Sequence, residues 1–144
     1  MSNLDLARKA LHASETGDLA TISGMVTDDF QFLGVTPQTL GKQEFLGFIE
    51  SLHTAFPNFK FNETSASESG NSATIKHKIT GTHTGTFNVP GLPPVPATGK
   101  SFTLPEETSV FTFAGDKASS YLAEPAPNGG LMGILAQLGV QMPH

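Results

Sequence analysis

The sequence predicts an α+β fold: a cone-shaped α+β barrel in which a curved antiparallel sheet wraps a long helix, with an N-terminal helical hairpin. Three observations predict it. Helical patterns gather early in the chain and strand patterns late, the order of an α+β domain. Phe45, Phe48, Ile49, Leu52 and Phe56 recur at the spacing of one helical stripe and bring three aromatic rings to bury. Asn71–Gly85 alternates. From Ser72 onward, Ala73, Ile75, His77, Ile79, Gly81 and His83 share one face, and Ser72, Thr74, Lys76, Lys78, Thr80, Thr82 and Thr84 share the other. That pattern marks a half-buried strand with one wet face.

Taken in order, Ser2–Glu15 reads as a helix with Leu4, Ala7, Leu11 and Ser14 on its stripe. Ser2 or Asn3 caps its start and Gly17 its end. Asp18 caps a second short helix carrying Leu19, Ile22 and Val26, which completes an αα-hairpin. Phe30–Leu33 is a short strand, and a loop with Gly34, Pro37 and Gly41 leads into the phenylalanine helix, stopped by Pro57. Phe59–Ala66 is the next strand, with Phe59 and Phe61 on one face, and Glu68–Asn71 turns it into the central strand as a hairpin. Thr86–Lys100 holds too many prolines for a strand or helix and reads as a long ordered loop bordering the pocket mouth or a subunit contact. Ser101–Ala114 is a second long strand, and Pro105 within it implies an edge or bulge where the faces swap. Gly115-Asp116 turns the chain into a last strand, Lys117–Glu124, whose alternation groups Ala118, Ser120, Leu122 and Glu124. Leu131–Leu138 is a short apolar helix ended by Gly139.

Composition excludes several classes. A chain of 144 residues suits one domain, 1–144, with a core of its own. Cysteine is absent, which removes disulfides, thiolate zinc sites and cysteine nucleophiles and fits a reducing, cytoplasmic setting. Asp5 and Arg8 interrupt any signal-peptide core, and no run is long and apolar enough for a membrane span. With a net charge of -5 and scattered lysines and arginines, the chain lacks the basic surface that nucleic acid requires.

Gly17–Phe32 (GDLATISGMVTDDFQF), His53–Phe61 (HTAFPNFKF), Gly81–Phe87 (GTHTGTF), Pro96–Lys100 (PATGK) and Gly133–Gly139 (GILAQLG), in this order, resemble the SnoaL-like polyketide cyclase family of the nuclear-transport-factor-two-like superfamily. The resemblance implies the cone, a pocket inside it, and a homodimer formed through the sheet. It implies ring closure by intramolecular aldol condensation without metal or cofactor, while related folds isomerise, dehydrate or only bind ligands. The family's acid-base is an aspartate soon after a tryptophan on the last strand. Here Leu122 stands at the tryptophan position, no aspartate follows, and Glu124 is the nearest carboxylate.

On that strand's alternation Glu124 points inward, where a buried carboxylate has the raised proton affinity of a general base. His77, between Ile75 and Ile79, is placed to steady a carbonyl oxygen as enolate charge develops, or to serve as a hydrogen-bonded core histidine. His83 shares its face near the proline loop, as a ligand contact or a turn residue. Phe32, Phe48, Phe56 and Leu122 are candidate pocket walls. Alternation sends one of Glu106 and Glu107 inward, Pro105 leaves open which, and Glu107 is the candidate ligand contact. His77 and His83 lie about 20 Å apart along a strand, too far to share a metal ion, and His12, His53 and His144 offer no ligand spacing. These residues lead to a small-molecule pocket protein taking an apolar or carbonyl-containing compound. It is either a cofactor-independent cyclase, isomerase or dehydratase that abstracts a proton beside the carbonyl, or a non-catalytic ligand-binding or carrier protein. A filled cone would instead mark an interaction module.

Overall fold

The structure is a computed structural model that describes residues 2–34, 39–88 and 93–139. The helical hairpin is built as its caps dictate. Helix α1 (Asn3–Thr16) starts at Ser2, whose hydroxyl accepts from Asp5 N–H at 3.1 Å while the Asp5 carboxylate accepts from Ser2 N–H at 3.3 Å. Gly17, left-handed at φ 72°, ends it, and Asp18 caps α2 (Leu19–Met25) by accepting from Thr21 N–H. Strand β1 (Val26–Leu33) follows without a turn, four residues ahead of the expected Phe30, so Val26 belongs to the sheet. Helix α3 (Lys42–Ala55) buries Phe45, Phe48, Ile49 and Leu52 as its stripe requires.

The remaining strands are β2 (Glu63–Ser69), β3 (Ser72–His77), β4 (Thr80–Thr82), β5 (Ser101–Thr103), β6 (Glu107–Ala114) and β7 (Lys117–Glu124), before helix α4 (Gly130–Gln137). Five of them form one sheet in the order β1-β7-β6-β3-β2, and β4 and β5 form a separate two-stranded ladder. The α+β architecture is the expected one, but the sheet is mixed where an antiparallel one is expected, and it is not closed. β2–β3, β3–β6 and β6–β7 are antiparallel, but β1 lies parallel to β7. No hairpin joins β1 to β7, so no turn imposes an antiparallel sense on them. Among the described residues no helix is long and apolar enough to cross a membrane.

Two long strands expected from the sequence are each broken. The central one leaves its ladder at Lys78-Ile79, where Asn62, at φ 56°, donates from its side chain to Lys78 C=O at 2.9 Å. Alternation survives the break: Ala73, Ile75, His77, Gly81 and His83 are all buried. The second strand breaks at Pro105, which has no N–H to give the ladder, and the faces swap there as expected. Phe102 and Leu104 are buried before it, and Glu107, Ser109, Phe111 and Phe113 after it. The strand expected from Phe59 begins only at Glu63, although Phe59 and Phe61 are buried as predicted.

A third irregularity decides the site. Along β6–β7, Thr112 pairs with Ser120 but Phe113 pairs with Ala118, leaving Ser119 as an extra residue. This bulge reverses the alternation of β7. Ala118 and Tyr121 face the core, and Leu122 and Glu124 are exposed.

Gly34 closes the end of β1. Its φ is 95°, and a Cβ there would run into the carbonyl oxygen of Ala123 on β7. Gly34→Ala is therefore expected to destabilise the fold by about 2 kcal/mol or more, from the left-handed backbone and the clash together. Urea denaturation at neutral pH measures it.

Candidate functional site

The inner face of the sheet and helix α3 do not close on each other. Between them lies a cavity, walled on a third side by Leu131 and Ile134 of α4. Its volume is about 80 Å³, several times what one water needs. Phe45, Phe48, Ile49 and Leu52 of α3, Phe32 of β1, and Phe59 and Phe61 supply most of the wall. Phe32 anchors that wall, with its ring centroid 4.8 Å from Phe45 and 5.0 Å from Tyr121.

Polar groups collect on one strip. His77 and Glu107 are register partners on β3 and β6, on the same inward face, which puts their Cβ atoms about 5 Å apart. His77 Nε2 lies 2.7 Å from Ser109 Oγ, and Ser109 Oγ lies 2.8 Å from the Tyr121 hydroxyl. Three neutral side chains with one hydrogen each meet in two contacts, so one N–H or O–H hydrogen of the trio stays unused by it. Burial holds His77 neutral, its pKa pushed down to about 4. Tyr121 is pushed up to about 12, also by burial. Glu107 is buried, and desolvation raises its carboxyl above the usual range, opposed by two backbone bonds. Those bonds run from Ala126 N–H at 2.9 Å and Gly130 N–H at 2.8 Å to Oε2. The loop can approach so closely because residue 129 is glycine: a Cβ there would lie 2.5 Å from Oε2.

The structure therefore brings together His77, Glu107, Phe32 and Phe48 in one cavity. It does not bring Glu124 inside. The bulge at Ser119 turns that residue to the exposed face, at the edge of the cavity. Leu122, 37% exposed, goes outward for the same reason. Glu106 is exposed and bonded to Thr64, so Glu107 is the inward member of its pair. His83 and Phe56 are fully buried in a second aromatic cluster with Phe87 and Phe102, beyond the cavity wall. His83 Nδ1 accepts from Thr98 N–H at 3.2 Å, which ties the proline loop to β4. Part of that loop, 89–92, lies outside the described residues, as does His144, and its described residues do not line the cavity.

Sequence reasoning missed Ser109 and Tyr121. Ser109 was visible as a lone hydroxyl in step with Phe111 and Phe113. Tyr121, the chain's one tyrosine, was hidden by the bulge.

The buried histidine has a stability consequence. His77 falls from 6.5 to about 4 on folding, so its contribution is fully present above about pH 6.5. It is lost as pH falls through the folded value, a change of about 3 kcal/mol. Glu107 works in the opposite sense, because a raised carboxyl favours the fold at low pH and loses that contribution as pH rises. Comparing wild type with His77→Phe by urea denaturation at pH 7 and pH 4 isolates the histidine. The variant is expected to lose the acid-side decline.

Residues 7–121 match the model of the SnoaL-like domain. The chain belongs to the SnoaL-like domain family. The matched segment of this SnoaL-like chain holds His77, Glu107, Ser109 and Tyr121 and stops short of Glu124 and α4. Solved structures share the fold. A candidate SnoaL-like polyketide cyclase from Jannaschia sp. CCS1 superposes with a TM-score of 0.79 at 15% identity, over 97% of this chain and 93% of that one. IdmH, a candidate polyketide cyclase from Streptomyces antibioticus, gives 0.73 at 18% identity over 97% and 100%. TsrD from Streptomyces laurentii gives 0.72 at 17% identity over 95% and 94%. No curated protein matches the sequence. At these identities the structural likeness establishes the fold alone.

Proposed function

We propose that this SnoaL-like domain binds an apolar small molecule bearing a carbonyl group and abstracts a proton beside that carbonyl, with Glu107 as the base. One observation carries the reading: among the described residues one buried carboxylate, Glu107, stands inside a mainly apolar cavity, on the strip that also holds His77, Ser109 and Tyr121. Two amide N–H groups already occupy Oε2, whereas Oε1 has no partner among the described residues and is the oxygen left to take a proton. The α-hydrogen passes to Oε1 and its electron pair moves into the carbonyl group. The unused hydrogen of the His77–Ser109–Tyr121 trio meets the oxygen as it gains charge. The enolate carbon then attacks a second carbonyl of the same molecule in ring closure, the new alkoxide taking the proton back from Glu107, or it is reprotonated by Glu107 at another carbon in isomerisation.

A carrier reading is supported by the same carboxylate, because its bonds to Ala126 and Gly130 also hold the loop before α4 in place. The two readings separate in one assay. The protein is incubated with 2-acetylnaphthalene in D2O, and loss of the methyl hydrogens is followed by proton NMR. Exchange above the buffer rate supports the base; binding without exchange supports the carrier; neither overturns both.

The absence of cysteine supports a cytoplasmic setting. Pairing of the sheet's outer face with that of a second copy is part of the same proposal. Leu33, Leu122 and Val110 are in register across β1, β7 and β6 and form an apolar row on that face, flanked by Thr108, Thr112 and Ser120. A row of this kind supports a two-fold homodimer. Light scattering at micromolar concentration is expected to give twice the chain mass, and Leu122→Lys to return it to the monomer.

A further inference from the structure

The cavity carries a charge asymmetry that bears on which ligands it admits, apart from the proton transfer itself. Two glutamates are among its lining residues, Glu107 buried inside and Glu124 exposed at its edge. Among the described residues no lysine or arginine lines it, and the histidine that does, His77, stays neutral above about pH 4. The cations nearest in sequence point elsewhere: Lys76 and Lys78 are exposed, on the wet face of their strand. Helices α3 and α4 bring only apolar side chains to the wall.

We infer that the cavity selects its ligand by charge, accepting uncharged molecules and rejecting carboxylates of the same shape, with Glu107 and Glu124 as the specificity-determining residues. An anion entering this site gives up its hydration with no cation to replace it. It also meets like charge twice, first at the edge and then within a wall of low polarisability. An uncharged ketone meets neither penalty. The two glutamates act differently. Glu124 is exposed, so its repulsion is screened by salt and bears on entry. Glu107 is buried, so its repulsion persists at high salt and bears on the bound state.

This inference rests on the ligand-binding half of the proposed function and not on catalysis. Its test uses a matched pair, 2-acetylnaphthalene and the 2-naphthoate ion, which differ by a methyl ketone against a carboxylate of similar size. Affinities are measured by calorimetry at pH 8 for wild type, Glu107→Gln, Glu124→Gln and the double variant. Wild type is expected to bind the ketone at least about tenfold more tightly. Glu107→Gln is expected to close most of that gap at any salt concentration. Glu124→Gln is expected to tighten naphthoate binding at low salt only. Equal affinities in wild type would overturn the inference. So would a gap that survives undiminished in the double variant, since desolvation alone would then account for it. Ketone binding without hydrogen exchange leaves charge selection standing while the base assignment fails. If neither compound binds the folded protein, the ligand-binding reading and this inference fall together.

Discussion

Replacing Glu107 by glutamine is expected to slow α-hydrogen exchange from 2-acetylnaphthalene by about 10²–10⁴-fold, the usual worth of a positioned general base. Glutamine keeps the shape and one acceptor oxygen, so it can still receive the N–H groups of Ala126 and Gly130, which lie 2.9 and 2.8 Å from Oε2. The amide cannot take the proton. The comparison variant is Glu124→Gln. An exposed residue at the cavity edge is not expected to change the exchange rate of an uncharged ketone by more than a few-fold, because its side chain is exposed whereas the His77–Ser109–Tyr121 strip is buried. The opposite ranking of the two variants would return the base to the position the family pattern favours. Amide spectra of both variants check that the loop before α4 has kept its place.

Phe56→Ala is expected to cost about 3–5 kcal/mol of folding stability, the range for deleting a buried phenylalanine side chain. Its ring is fully buried, and its centroid lies 5.2 Å from that of Phe87, 5.1 Å from Phe102 and 5.3 Å from His83. Edge-to-face rings of this kind add to the burial energy. The cluster stands where β4, β5 and the base of the proline loop meet the end of α3. The loss is therefore expected in the urea midpoint and not in ketone affinity, provided the variant is measured under conditions where it stays folded. Loss of affinity with little loss of stability would place Phe56 on the cavity instead.

Much of this fold is legible in the chain, for local reasons. Ser2, Gly17 and Asp18 mark the helical hairpin because caps depend on one or two residues. The stripe Phe45, Phe48, Ile49 and Leu52 marks α3 because a helical face repeats over several turns. The inward set Ala73, Ile75, His77, Gly81 and His83 reads correctly even across the break in its strand. His77 is accordingly visible as a candidate for the pocket, and Glu107 only as one of a pair with Glu106.

What the chain alone left open is the long-range part. The parallel pairing of β1 with β7 joins segments about ninety residues apart, with no turn between them to declare a direction. The bulge at Ser119 has no glycine or proline to announce it, and appears only when β7 is laid against β6. One extra residue moves every later side chain to the other face. That shift exposes Leu122 and Glu124 and turns the lone tyrosine, Tyr121, toward Ser109. Sequence by itself determined which residues could carry chemistry and which strand faces were apolar, because those follow from residue type and local period. Tertiary structure alone decided which carboxylate stands inside the cavity, because the answer turns on register between strands, which is set by packing across the whole sheet.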